Sequence, residues 1–599
     1  MPNPKSFLCL HIGYNATAAI MVDGKVVAAA QEERFTRIKN DVGFPRQAIN
    51  YCLRESGLSG AELDAVGFTT TRNNPIIIKS RLTPRFSLKD YDAYYGDAFY
   101  RRQMKGESTL DFLKWLRDDP KFQSKDEFFD FSFLTDAVLA DGERAEELFR
   151  VEQVRAATTY LGIAADKVKF LDHHACHAHY AYFASPYRSD DFAVITLDGW
   201  GDGRNQTVWR TIGGRLQLLA ESAQNGLGHL YKMATLILGM RPDEHEYKLM
   251  GMAPYANPDY VARCRTTIDD LFDVEGMRVV SKNRPADLYG TLRQRWSDQR
   301  FDNISGAVQS VTESIACKLI ANIHQETGLR NFAIAGGVAM NVKMNMEIGK
   351  LDCVDTLFVP GSGSDESLPI GGCYVLAAEH GIAAQPIDDL YLGYDVSESM
   401  DDVDWEQVAT QFTVRQGVTP DDVAELLAKG DIVGRVSGRC EFGARALGNR
   451  SILANPSRDD VVRRINEAVK KRDFWMPFAA SLLAEDGDTL ISNPKRFEAR
   501  FMALAFDTQP NNYRSIQAGI HPYDRTCRAQ LVTRERAPGY HAILSAFKAR
   551  TGIPALLNTS YNLHGEPIVN TAADALRSFA ASGLDHLLLV DTLVSRVRG

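Results

Sequence analysis

A buried strand, a glycine-bearing turn and a returning strand occur twice in this chain, and that repetition constrains the fold more than any other feature. Residues 7–12 (FLCLHI) read as a short buried strand and 17–22 as a second. Asp23-Gly24 is a hairpin signal, with 25–30 as the return. The pattern recurs at 192–197 (FAVITL), where Asp198-Gly199 is predicted to begin a turn, followed by strands at 205–212 and 215–221 about Gly213-Gly214. Two copies of one strand pattern predict duplicated subdomains. FAIAGG (332–337) and DTLFVPGSGSD (355–365) then each read as strand followed by glycine loop, with helices predicted at 339–349 and 367–380. The alternation is that of an α/β protein.

Duplicated sheets facing a cleft are how actin/sugar-kinase-like ATPases are built. Between the copies, residues 72–160 are polar, aromatic and mixed in charge; they are predicted to be helical and to cover the cleft. A chain of 599 residues exceeds what one core holds, so more than one domain is expected. The segment 383–400 lacks periodicity and contains Pro386, which marks it as a link between domains at 1–385 and 386–599. The second domain reads as a further α/β region, with an arginine-rich stretch (438–456) and a late strand and loop (553–569).

Hydrophobic residues make up 45% of the chain and charged residues 24%, the balance of a soluble globular protein. The net charge of -9 makes it a poor general binder of nucleic acid or anionic membrane. No run approaches the ~18 apolar residues of a membrane span, and the N-terminus lacks a signal-peptide pattern. The nine cysteines include no CxxC pair, so reduced thiols and a cytoplasmic location are expected. Cys176 is the exception to watch, because it lies among histidines.

LDHHACHAHYAY (171–182) holds four histidines within seven residues. His173 and His177 are spaced i, i+4, which on a helix puts both imidazoles on one face, within reach of one metal ion. Asp198, at the end of an apolar strand, and Asp365, at a strand–loop–helix junction, are candidate further ligands. Two histidines with two carboxylates suit Fe(II), Mn or Zn better than Ca or Mg. The alternative is a helix whose histidines are polar fillers or simply hydrogen-bonded. His174 and His179 point elsewhere on such a helix and read as structural.

Gly336 and Gly337 follow a buried strand and precede a helix, where small residues let backbone N–H groups approach a phosphate. The 361–364 run, including Gly363, can do the same opposite it; tight strand–helix turns also use glycine for steric reasons alone. In the second domain Arg439, Arg445 and Arg450 lie in a glycine-rich stretch, followed by Lys470, Lys471, Arg472 and later Arg528. Such cations suit an acyl phosphate and a triphosphate. A salt-bridged surface is the alternative, and it is the reading preferred for Lys471. Asn558, Thr559 and Ser560 end an apolar strand and can bind oxyanions or a planar amide, or form an Asx-type turn.

Taken in order, GYNATAAIMVDGKVVAAAQEERFTRIK, DHHACHAH, TLDG, KLMGMAPY (248–255), AGGVAMN (335–341), FGARALGNRSILANP and LLNTSYNLHGEPIV resemble the NodU/CmcH family of O-carbamoyltransferases, to which the tobramycin carbamoyltransferase belongs. The resemblance covers nearly the whole chain. It implies an N-terminal ATPase-fold domain, similar to proteins that make threonylcarbamoyl-adenosine in tRNA, and a C-terminal YrdC-like domain. It implies that carbamoyl phosphate and ATP, with Mg, give carbamoyl-adenylate in the C-terminal domain. The carbamoyl group then passes to a small-molecule hydroxyl at a metal site in the N-terminal domain.

The family's ligands fall on His173, His177, Asp198 and Asp365, with Fe(II) or another divalent transition metal. Its nucleotide loop falls on Gly336, Gly337 and Asn341, and its carbamoyl-phosphate site on Lys470, Arg528, Asn558 and Ser560. Lys248 is assigned only to the cleft. There are two departures: Tyr14, followed by Asn15, stands where many members have a catalytic His, and Met476 stands where many have Arg. Tyrosine is a weak base near neutral pH, so another base or a substrate-positioning role is expected. The acceptor is not legible, although the divergent 72–160 segment is expected to shape its choice. Modification of a macromolecule such as tRNA is the alternative function, against which the acidic balance argues. A homodimer is the default assembly.

Overall fold

The computed structural model describes residues 5–124, 128–189 and 191–597. It divides into two compact units. The first is Met1–Glu32 with Asn40–Ile387; the second is Glu33–Lys39 with Asp388–Gly599.

In the first unit, β1 (Ser6–His11) is buried at every position and forms the middle of a five-stranded sheet. It pairs antiparallel with β2 (Thr17–Val22), which pairs with β3 (Lys25–Gln31). On its other side it pairs parallel with β4 (Ala65–Phe68), which pairs with β5 (Val168–Phe170). The order is β3-β2-β1-β4-β5. Asp23 and Gly24 turn the hairpin with φ of 46° and 76°, the left-handed pair such a turn requires.

The second sheet repeats this arrangement. β6 (Phe192–Gly201) pairs antiparallel with β7 (Arg204–Ile212), which pairs with β8 (Arg215–Ser222). A small hairpin, β9 (Phe272–Glu275) and β10 (Arg278–Ser281), intervenes. β11 (Asn331–Ala335) then pairs parallel with β6 and with β12 (Thr356–Phe358). Read from its other edge, the order β12-β11-β6-β7-β8 is that of the first sheet, with the same strand directions. This is the duplicated α/β core that the repeated strand pattern predicts.

The second hairpin differs from the expectation in one respect. Asp198-Gly199 does not turn the chain: β6 runs on to Gly201, and the turn is Asp202-Gly203, with φ of 48° and 85°. The ladder loses register between Leu197 and Gly201, so Asp198 leaves the regular pairing and its side chain is freed for other partners. The helix expected from 339 begins at Val342 after a short 3-10 turn, because the Asn341 side chain caps it by accepting the Met344 N–H. The helix expected at 367–380 is Leu368–Glu379.

Between β4 and β5 the stretch expected to be helical is so, with Pro75–Arg81, Leu88–Tyr95, Leu110–Asp118 and the long Gly142–Leu161 helix; residues 125–127 lie outside the described residues. Its apolar mass is aromatic: Phe86 packs edge-on to Tyr91, and Phe129 on Phe149.

The second unit holds an eight-stranded sheet, built from β13 (Phe412–Arg415), β14 (Val433–Val436), β15 (Arg450–Ala454), β16 (Ala479–Leu483), β19 (Ala529–Val532), β20 (Ala555–Ser560), β21 (His586–Leu589) and β22 (Thr592–Arg596). β17 (Phe506–Asp507) and β18 (Thr526–Cys527) pair apart from it. Strand alternation fills a core on each face. Ile452, Ala454, Leu557, Leu587 and Leu589 go to one side, and Leu453, Leu556 and Leu588 to the other. Among the described residues no helix is long and apolar enough to cross a membrane.

Candidate metal centre

The His173–Phe183 helix is capped by Asp172, which accepts the Ala175 N–H at 2.8 Å. It lies against the Leu368–Glu379 helix at backbone distance. A Cβ at Gly371 would fall 1.9 Å from the Cys176 carbonyl oxygen, so only glycine permits this approach. That packing carries Asp365, in the turn before the second helix, to the two histidines. Asp198 arrives from the irregular part of β6, and Gly201 leaves room for the His173 ring, whose Cδ2 a Cβ there would meet at 2.3 Å.

His173 Nε2 lies 3.3 Å from Asp198 Oδ2 and 3.7 Å from Asp365 Oδ1, and His177 Nε2 lies 3.4 Å from Asp365 Oδ1. One donor atom from each of the four residues falls within 4.8 Å of all the others. His173, His177 and Asp198 are buried. Among the described residues neither ring nitrogen of His177 nor Oδ1 of Asp365 has a hydrogen-bond partner. Buried polar atoms left unpaired in this way are costly unless something else binds them, so the residues present fit a cation with nitrogen and oxygen ligands. The electrostatics agree. Burial opposes charge on His173, but Asp365 and then Asp198 outweigh it and raise its pKa to about 9. Burial also opposes the charge on Asp198, yet His173 holds it well below the usual carboxylate range.

His174 and His179 are occupied elsewhere. His174 sits between the Thr196 hydroxyl (2.7 Å) and the Arg204 carbonyl (3.1 Å), and His179 Nδ1 lies 2.8 Å from the Ala175 carbonyl. Cys176 is buried, and desolvation raises its thiol pKa well above normal, which disfavours a reactive thiolate.

His11 is a residue the sequence reading missed. It is buried, and both ring nitrogens lack a hydrogen-bond partner. Its pKa is lowered to about 4, chiefly by burial, against the pull of Asp365. In the repeat His11 matches Thr196, two residues before Asp198, at the same end of the central strand.

The glycine loops are tied to the centre differently than expected. The Gly336 N–H donates to the Gly363 carbonyl and the Gly337 N–H to Asp198 Oδ1, both at 2.8 Å. These amides fix the Asp198 carboxylate and brace two loops, so they are not free to cradle a phosphate. The Asn341 amide donates to Gln309 at 2.9 Å, and half-buried Lys248 lies on the Glu246–Met252 helix.

In the second unit a basic cluster gathers around β20. Lys470 Nζ reaches Ser560 Oγ at 3.1 Å and Asn562 Oδ1 at 2.7 Å, and burial lowers its pKa well below normal. Arg528 is likewise depressed by burial and then by Arg445 and Arg472, and its Nε has no partner. Asn558 donates to Ser481 Oγ at 3.0 Å and Gln530 Oε1 at 3.2 Å, while its Oδ1 is buried and unpaired. Thr559 faces Ile452 across the sheet. Gln530 and Ser481 were missed because no motif marks them, and Asn562 because nothing within LLNTSYNLHGEPIV sets it apart from its neighbours.

Residues 9–373 match the family model described as carbamoyltransferase N-terminus, and residues 424–596 match carbamoyltransferase C-terminus. The chain belongs to the carbamoyltransferase family. It is 30% identical to an uncharacterized protein of Synechocystis, over 97% of this chain and 95% of that one. It is 29% identical to nodulation protein NolNO of Sinorhizobium fredii, over 97% and 79%. Full-length HypF, solved with phosphate and nucleotide bound, aligns with 64% of this chain and 48% of its own at 10% identity and a TM-score of 0.34.

Two of the arginines expected to hold phosphate in this carbamoyltransferase are committed to its backbone. Arg450 is fully buried and donates to the carbonyls of Ser437, Gly438, Asn449, Tyr394 and Asn570. Arg439 donates to the carbonyls of Leu392 and Gly393. Both brace the loop in which Glu441 Oε1 gathers the N–H groups of Leu447, Asn449 and Arg450. Met476 is buried in the apolar packing. The Tyr14 hydroxyl accepts from Asn40 Nδ2 at 2.5 Å, and burial, then Glu244 and Asp243, raise its pKa well above the usual phenol range. Asn15 is left-handed at φ 63°, with Oδ1 buried and unpaired.

Proposed function

We propose that this carbamoyltransferase is an ATP-dependent O-carbamoyltransferase acting on a hydroxyl of a small-molecule natural product, with His173, His177, Asp198 and Asp365 holding a divalent transition metal, Fe(II) by preference. The unpaired donor atoms of His177 and Asp365, inside a four-residue cluster of a carbamoyltransferase-family chain, carry the reading. The relatives named nodulation proteins make a small-molecule acceptor the natural expectation.

The second unit, YrdC-like in this reading, makes the donor. Carbamoyl phosphate, ATP and water give carbamoyl-adenylate, phosphate and pyrophosphate. Arg445, Arg472 and Arg528 neutralise the phosphates, with Mg bound to ATP. Lys470 lies poised on Ser560, and its depressed pKa returns toward normal when an anion binds. Asn558 presents an unpaired amide oxygen to the carbamoyl NH2. Capturing the carbamoyl group as a bound anhydride keeps it from water.

The metal, when bound, supplies Lewis-acid polarisation of the carbamoyl carbonyl. Asp198 is held by the Gly337 N–H, so its carboxylate does not swing away. His11, neutral and unpaired, is the group that receives the acceptor hydroxyl's proton in place of Tyr14. The acceptor oxygen bonds the carbamoyl carbon, the C–O bond to AMP breaks, and AMP leaves.

Incubation with ATP, carbamoyl phosphate and Fe(II), without acceptor, tests the first half. Pyrophosphate that requires carbamoyl phosphate is the expected product. Its absence with ATP bound would remove the donor chemistry and point to Met476.

A further inference from the structure

We propose that Asp202 is a positioning residue of the transfer site, a single carboxylate that holds His173 in place and ties it to the loop from which the helical insertion departs. The proposal rests on the reading of His173 as a metal ligand. Asp202 occupies the turn between β6 and β7. Its Oδ2 accepts the backbone N–H of His173 at 2.8 Å. Its Oδ1 accepts the Thr70 hydroxyl at 2.6 Å and the Arg72 N–H at 2.9 Å, and the Thr71 N–H lies 3.0 Å from both oxygens.

Thr70, Thr71 and Arg72 follow β4 and lead directly into the insertion. The insertion's long helix, Gly142–Leu161, grips the same loop from its own side. Arg150 donates to the Thr71 carbonyl and Arg72 Nε to Glu146, each at 3.0 Å. A continuous path of direct bonds therefore runs from that helix through Thr71 and Asp202 to His173.

Among the first N–H groups of the ligand helix the Asp172 side chain accepts only that of Ala175, so the His173 N–H is left to Asp202, which also holds the 70–72 loop. His173 is not free to adjust, since its ring lies on Gly201, the residue before Asp202. A displacement of the 70–72 loop thus reaches the backbone of a ligand whose ring has no slack. The two-sided role needs an acceptor-only group with two oxygens. Asparagine has one oxygen and an NH2, which would confront either the His173 N–H or the donors of the loop.

Co(II) titration of the full-length protein, read by its visible absorption, tests this. Wild type is expected to bind one Co(II), and His177→Ala to lose it. Asp202→Asn is expected to bind ~10–100-fold more weakly with a shifted visible band, the usual effect of disturbing a group that orients a ligand. Arg150→Ala, which touches no ligand, is expected to shift the band the same way with a smaller loss of affinity. Wild-type affinity and spectrum in Asp202→Asn overturn the proposal, whatever its melting temperature. An unchanged Arg150→Ala beside an altered Asp202→Asn overturns the link to the insertion. Should Asp202→Asn not fold, Thr70→Val removes one donor from the same carboxylate and is judged by the same band. Absence of His177-dependent Co(II) binding in wild type sinks the metal reading itself, so the two failures are distinguishable.

Discussion

The two charged clusters of this molecule were both visible as residue types, yet they behave differently in the fold. In the first unit the four expected ligands converge within 4.8 Å, and key atoms have no hydrogen-bond partner among the described residues. In the second, Arg439 and Arg450 are consumed by backbone carbonyls, while Lys470 reaches Ser560 and buried Arg528 feels the charges of Arg445 and Arg472. The i, i+4 spacing on a helix forces two imidazoles onto one face whatever surrounds them. An arginine carries five donors on a long stem, and nothing local says whether they meet a phosphate or the protein's own carbonyls.

The comparison breaks first, and most severely, at a candidate metal ligand. His177→Ala is expected to lower carbamoyl transfer by about 100-fold or more while pyrophosphate formation without acceptor stays near wild type. Equal loss of both half-reactions would mean the clusters do not serve separate steps. The next effect separates the arginines. Arg450→Ala strips the buried carbonyls of Ser437 and Asn570 of the arginine that bonds them, weakens those of Gly438, Asn449 and Tyr394, which keep a backbone N–H, and should destabilise the fold by roughly 3 kcal/mol or more in chemical denaturation. Arg445→Ala should cost under about 1 kcal/mol and instead depress pyrophosphate formation. A reversal of those two outcomes would exchange their roles.

A third expectation concerns pH. Burial opposes a proton on His173, but Asp365 and Asp198 raise its pKa to about 9, so the metal-free protein carries that proton at neutral pH. Metal must displace it. Binding near pH 7 should therefore release a proton, and affinity should climb by about tenfold per pH unit until pH passes about 9. The same proton stabilises the metal-free fold fully below the unfolded value of ~6.5, and that contribution is lost as pH rises through about 9. Calorimetry in buffers of differing ionisation enthalpy counts the protons, and none released would contradict the assigned charge state.

The smallest effect is at Tyr14. Tyr14→Phe removes one hydrogen bond to Asn40 and should slow transfer by under about tenfold, whereas His11→Ala should cost ~100-fold or more, as a lost proton acceptor does. The opposite ranking in single-turnover transfer would return the base to Tyr14.

The sequence by itself determined the periodic and ordered features of this protein. The repeated strand and hairpin pattern became two sheets of identical order, the HxxxH spacing put two imidazoles on one face, and the ordered motifs identified a carbamoyltransferase. These rest on local geometry, in which spacing along the chain is spacing in space. Tertiary structure alone decided that Asp198 would leave its ladder four residues before the turn, that Gly371 would let two helices touch at the backbone, that both His11 ring nitrogens would lack a hydrogen-bond partner among the described residues, and that Arg450 would serve carbonyls. Each of these depends on which distant backbone atom lies within hydrogen-bonding or van der Waals distance. That is set by how the elements pack and is not encoded in the spacing of any one segment.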